Sequence, residues 1–173
     1  KSSLADYLGN GEVKKCPERV KFRQGDPWDS NFEDGCGGYG YNMTYLGSQI
    51  WQDGFSASDK ATRQTQVRNC GETVMFADTA MTKFDSVAAY YLEYSFVEPP
   101  FFLMNGVVKP SWGYASPSMH FRHGKKCNIA WADGHVDMRE MADFNGTNVY
   151  GVKSSDMGIG WVFPINNSLF DLK

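Results

Sequence analysis

Asn128-Ile-Ala-Trp-Ala-Asp133-Gly134-His-Val-Asp-Met-Arg139 is the segment on which the fold turns. Two short alternating runs flank an Asp-Gly pair. A two-residue type I′ turn needs positive φ at both central residues, and Asp and Gly tolerate it. With that turn, Ala132 pairs with His135, Trp131 with Val136, Ala130 with Asp137 and Ile129 with Met138. Side chains alternate along a strand. Ile129, Trp131, Val136 and Met138 then share a core face, and Asn128, His135, Asp137 and Arg139 share the other. Burial of one face pins the register.

Outward from the hairpin, Thr73-Val-Met-Phe-Ala-Asp78-Thr79 is apolar on both faces and free of Gly and Pro, as a central strand should be. It echoes the hairpin's first arm, since both are apolar runs ending in Ala-Asp, and this suggests two neighbouring strands. Val87–Val97 reads as a further strand, with helix as the competing reading, and Pro99-Pro100 ends it. Gly40–Leu46 reads as a short strand inside a loop-rich stretch from Cys16 to about Asp59, with turn signals at Asp34-Gly35 and Gly37-Gly38. Residues 98–118 are expected to be mostly loop. Leu4, Tyr7 and Leu8 have helical spacing ahead of a capping Gly9. The expected class is α+β, mostly β, built on an antiparallel sheet as one domain over 1–173. Val74, Phe76, Ile129, Trp131, Val136 and Met138 form the expected core.

The 173 residues carry a net charge of −3 and no basic run, which argues against a nucleic-acid surface. No stretch approaches 18 consecutive apolar residues. Four cysteines, Cys16, Cys36, Cys70 and Cys127, include no C-x-x-C pair, so a thiolate zinc knuckle is not expected. An even count allows one or two disulfides, and the pairing guessed at is Cys16 with Cys36 and Cys70 with Cys127.

His120, His123 and His135, with Asp78, Asp133 and Asp137, are the candidates for a metal or acid–base site, and His123, Asp133 and His135 are the set singled out. Nine residues separate His123 from Asp133, about 33 Å when extended, so the two meet only if Gly124–Cys127 folds back. The alternative is that these groups anchor a loop to the hairpin. No nucleophile elbow, phosphate loop or dinucleotide fingerprint is present. Calcium or zinc is conceivable, but no cofactor is expected. Twelve Phe, nine Tyr and five Trp admit a sugar-binding platform, with Trp51 and Trp112 as the residues to test.

The run Arg122-His123-Gly-Lys-Lys-Cys-Asn128-Ile-Ala-Trp-Ala-Asp133-Gly134-His135-Val136 resembles the "H-X9-DG" C-terminal signature of prepilin-type, pseudopilin-like proteins, with Asn128 in its expected place. Cys16-Pro17-Glu18 is similar to the Cys-Pro that precedes the first strand in that family. Val67–Asp78 is similar to its block of polar turn, Glu-Thr, apolar strand and Ala-Asp. Gly38-Tyr-Gly-Tyr-Asn42 resembles its Ser-Tyr-Gly-x-Asn block, with Gly38 in place of Ser. Cys70 stands where Pro is more usual, and residues 140–173 match nothing in the family pattern. The resemblance implies a non-catalytic structural subunit: the pilin-like head domain of a pseudopilin, of the type II secretion or type IV pilus kind. Its apolar N-terminal helix would be missing from this chain. That helix would anchor the full-length protein in the membrane and join it to other pilin-like subunits at the bacterial cell envelope. A secreted carbohydrate-binding module is the alternative, and a metal-dependent hydrolase using His123, Asp133 and His135 a further one.

Overall fold

A computed structural model describes residues 16–18, 20–25, 36–49 and 54–172. The expected helix around Leu4–Leu8, the Asp34-Gly35 turn and Trp51 lie outside the described residues. The chain is mostly β. Its strands are β1 (Tyr39–Tyr41), β2 (Val74–Asp78), β3 (Met81–Phe84), β4 (Ala89–Leu92), β5 (Leu103–Met104), β6 (Val107–Val108), β7 (Met119–His120), β8 (Lys126–Trp131), β9 (Val136–Glu140) and β10 (Ile159–Gly160). Among the described residues the helical segments are short 3₁₀ turns and one π-type turn at Met43–Gly47. None is long and apolar enough to cross a membrane.

The main sheet is antiparallel in the order β1-β2-β8-β9, so the two echoing Ala-Asp runs are indeed neighbours and occupy its interior. Hairpins β3–β4 and β5–β6 and the pair β7–β10 surround it. The Val87–Val97 strand is realised as β4. The Gly40–Leu46 strand stops at Tyr41. There Asn42, fully buried, turns the chain: its side chain accepts from Tyr45 N–H and donates to the carbonyls of Val74 and Phe170. Satisfying a buried amide takes precedence here over strand continuation.

The hairpin register differs from the expected one by a single residue. Ala130 pairs with Val136, Ile129 with Asp137 and Asn128 with Met138. Trp131 N–H donates to His135 O and Gly134 N–H to Trp131 O, which closes a three-residue loop over 132–134. Gly134 takes φ +94°, and Asp133 does not share the positive φ that a type I′ turn demands. The one-residue slip turns β9 over. Val136 and Met138 are 63% and 48% exposed, and Phe76, on the same outer face, is 42% exposed. These three expected core residues are therefore surface. β9 is an edge strand, and its inward side lays polar groups over Trp131. Asp137 accepts from the indole N–H at 2.9 Å, the His135 ring stacks on the indole at 5.7 Å, and the Arg139 guanidinium sits 5.3 Å from its centroid.

Val74, Ile129 and Trp131 are buried as expected. Their partners come largely from the chain's end. Trp161, Val162 and Phe170 join Met119, Phe121, Phe144 and Cys127 in one core. Phe144 packs edge-on against Trp161 at 4.8 Å, and Trp161 Nε1 donates to Glu98 O. Each fully buried large apolar side chain of this kind stabilises the fold by roughly 1.5–3 kcal/mol. Asn167 pins the segment by bonding both the N–H and C=O of Phe101 and the Tyr45 hydroxyl.

All four cysteines are unpaired. Cys127 lies near the start of β8, whereas the Cys70 carbonyl accepts from Asp133 N–H beyond its other end. The intervening five or so residues span roughly 17 Å, far beyond the ~7 Å Cα limit of a disulfide. Cys16 does approach Cys36, since its N–H donates to Gly37 O at 3.0 Å, but its sulfur is turned to His123 instead.

Candidate functional site

The site is built at the end of β8 opposite the Asp-Gly loop. The chain reverses between His123 and Lys126, which exchange both backbone hydrogen bonds, 3.0 and 3.1 Å. Gly124 and Lys125, the two central residues, have φ +61° and +68°. Two consecutive positive φ values around a two-residue loop are the pattern of a type I′ turn. That turn, expected at Asp133-Gly134, occurs here. It aims His123 back over the end of β2.

Asp78 closes β2 with its side chain wholly buried. Its Oδ1 accepts from Arg122 Nη2 at 2.8 Å, and its Oδ2 accepts from Asn128 N–H at 2.8 Å and lies 3.2 Å from His123 Nε2. Arg122, itself 3% exposed, also donates to the carbonyls of Thr79 and Gly38 and lies against His120 Nδ1 at 3.3 Å. A charge buried this deeply is tolerable only with such partners, and here they engage both terminal nitrogens of Arg122, while its buried Nε has none among the described residues. Gly38 is required for the same reason. Its φ is +82°, and a Cβ there would stand 3.0 Å from both terminal nitrogens of Arg122. Burial first, and the Arg122 charge second, push His120 down to about 4. His120 is therefore a neutral acceptor at ordinary pH.

Cys16 completes the site, with Sγ 3.2 Å from His123 Nε2. The Cys16 sulfur, an Asp78 carboxylate oxygen and His123 Nε2 all lie within 4.8 Å of one another. Both partners address the same ring nitrogen. A nucleophile–base–orienting relay uses the two nitrogens on opposite sides of the ring, so this arrangement is a convergence on one point and not a relay. A groove lined by Cys16, Phe22, Glu93 and Arg122 opens beside it.

His123, Asp133 and His135 do not come together. His123 sits at one end of β8, and Asp133 with His135 at the other. There the Asp133 carboxylate accepts from the His135 backbone at 3.0 Å and lies 2.6 Å from its ring. These two bonds, the backbone one first, hold Asp133 below the ordinary carboxylate range although both side chains are exposed. Asn128 serves through its backbone N–H. Trp112 is half exposed on a 3₁₀ turn. Reasoning from the sequence named Asp78 among the candidates without pairing it with His123, and missed Cys16. The available signal was that both lie in the segments, Cys-Pro and Ala-Asp, that carry the family resemblance. Burial pushes the Cys127 thiol up, with the Asp78 charge adding to it, and its sulfur bonds the backbone carbonyls of Asp78 and Asn128. It is core, not site.

Comparison of the chain with protein-family models, with curated proteins and with solved structures finds no match in any of the three.

Proposed function

We propose that this chain is the head domain of a pseudopilin-like subunit, a non-catalytic building block of an envelope-anchored assembly. The observation that carries the reading is the meeting of separated motif segments. Cys16 of Cys-Pro, Asp78 of Ala-Asp and Arg122-His123 of the H-X9-DG run stand 3.2 Å or less from one another in successive contacts. Residues scattered over more than a hundred positions thus form one clasp, which ties the segment before β1 to the ends of β2 and β8. A clasp of this kind makes the recurring residues structural. The outer face of the sheet carries Phe76, Val136 and Met138 as a partly exposed apolar stripe, which suits side-to-side packing with other pilin-like subunits. Under this reading the full-length protein is held at the bacterial cell envelope by an apolar helix preceding this chain.

The test is the gene upstream of Lys1 and the N-terminus of the mature protein. A basic leader, a cleavage-site Gly, Glu at the fifth mature position and about 20 apolar residues are expected. An ordinary signal peptide ending just before Lys1 would refute the reading.

A further inference from the structure

We infer that Cys16, Asp78 and His123 form a zinc site. Zinc is held by Cys sulfur at about 2.3 Å, His nitrogen at about 2.0–2.1 Å and carboxylate oxygen at about 2.0–2.2 Å, in tetrahedral geometry. Ligand atoms around such an ion stand roughly 3.4–3.6 Å apart. Here Sγ to Nε2 is 3.2 Å, Nε2 to Oδ2 is 3.2 Å, and no pair exceeds 4.8 Å. The adjustment needed to admit the ion falls to Cys16 and His123, both partly exposed, while the buried Asp78 stays in place.

The surrounding shell is the kind a metal site needs. Ligating carboxylates are themselves hydrogen-bonded, and Asp78 is held through Oδ1 by Arg122 and through Oδ2 by Asn128 N–H. The groove along Cys16 gives an entry path through which solvent can supply the fourth ligand. A thiolate with an imidazole and one carboxylate favours zinc over the hard cations calcium and magnesium, which take all-oxygen sets. On binding, the Cys16 thiol releases its proton to solvent and the sulfur–zinc bond forms, while His123 binds through Nε2 with its proton on Nδ1. Arg122 already offsets Asp78, so the occupied site carries one net positive charge, and its affinity lies below that of an all-thiolate site. The role is a clip. It fastens the segment leading into β1 to the ends of two inner strands, and this holds whether or not the chain is a pilin head.

The test is zinc titration of the full 173-residue chain, kept reduced, against a chromophoric chelator. One equivalent is expected per chain, with a Tm rise of roughly 5 °C at a hundredfold excess over Kd. Cys16→Ser and His123→Ala should each weaken binding about 100-fold or more, since they remove ligands directly. His135→Ala and Cys70→Ser should bind as wild type does. No binding by wild type, or binding kept by Cys16→Ser and lost in His135→Ala, overturns the inference. If Cys16→Ser does not fold, cobalt(II) added to wild type decides: a thiolate-to-cobalt charge-transfer band supports the site, and its absence refutes it.

Discussion

β8 has an aspartate beside a histidine at each end, and the two pairs differ in how the chain makes them. At the outer loop, Asp133 and His135 are two residues apart, both exposed, and meet because a turn brings them together. At the inner end, Asp78 comes from another strand, is wholly buried, and has Arg122, Asn128 N–H and His123 around it. A local pair in water contributes little to stability, because water and salt screen it. A buried charge with one good partner on each oxygen contributes through what would be stranded if it were lost. Sequence proximity therefore points to the weaker of the two pairs.

That contrast is most sharply broken by neutralising the two aspartates. Asp78→Asn leaves the Arg122 charge buried and unpaired, and should cost about 3–5 kcal/mol in urea denaturation. Asp133→Asn should cost less than about 1 kcal/mol. Equal losses would remove the distinction between the ends.

A pH titration of stability in zinc-free buffer, taken as the difference between wild type and His120→Gln, probes the inner end. His120, beside Arg122, stays neutral in the fold down to about pH 4. Asp78, His123 and the Tyr91 ring at 4.9 Å also border it. The unfolded chain takes up this proton near pH 6.5, so between these values the unfolded state binds more protons. Stability attributable to His120 is then fully present above about pH 6.5 and falls by about 3 kcal/mol as the pH is lowered to about 4. His120→Gln should lack this limb. Identical pH dependence of wild type and His120→Gln across the window would contradict the burial of a neutral imidazole.

The glycines give a finer comparison. Gly38→Ala meets both a positive φ and the Arg122 nitrogens, and should cost about 2–3 kcal/mol. Gly134→Ala meets only a φ of +94° with open space around it, and should cost about 1 kcal/mol. Gly134→Val should cost more, because a β-branched residue resists positive φ further. Thermal melts of the three rank the two turns.

The smallest effect belongs to the outer face. Val136→Thr and Met138→Gln should each change stability by no more than about 0.5 kcal/mol. A loss above about 1.5 kcal/mol would mean that these side chains are core after all, as the two-residue turn would have made them.

Much of the architecture was legible. The paired runs ending in Asp78 and Asp133, the central position of β2 and β8, and the burial of Val74, Ile129 and Trp131 follow from apolar patterning. The register was not, because Asp-Gly can also end a three-residue loop, with the Gly in the left-handed position, and not only close a two-residue I′ turn. Here Trp131 decides: its indole N–H reaches Asp137 only in the longer loop's register. The contribution of Trp161, Val162 and Phe170 was also hidden, since short strands and irregular chain leave no period to read. The site was half visible. His123 stood out as a chemical group, but its partners come from 45 and 107 residues away, a separation at which local spacing carries no information.

The three-residue loop has a genetic corollary. Deleting one codon among Ala132, Asp133 and Gly134 shortens it to the two-residue form and inverts β9, so Asp137 would swap places with Val136 and Met138. An indel at this surface turn, where length changes are ordinarily harmless, would exchange inside for outside along a whole strand without altering a single remaining residue. Loop length here encodes orientation, and it does so in steps of one.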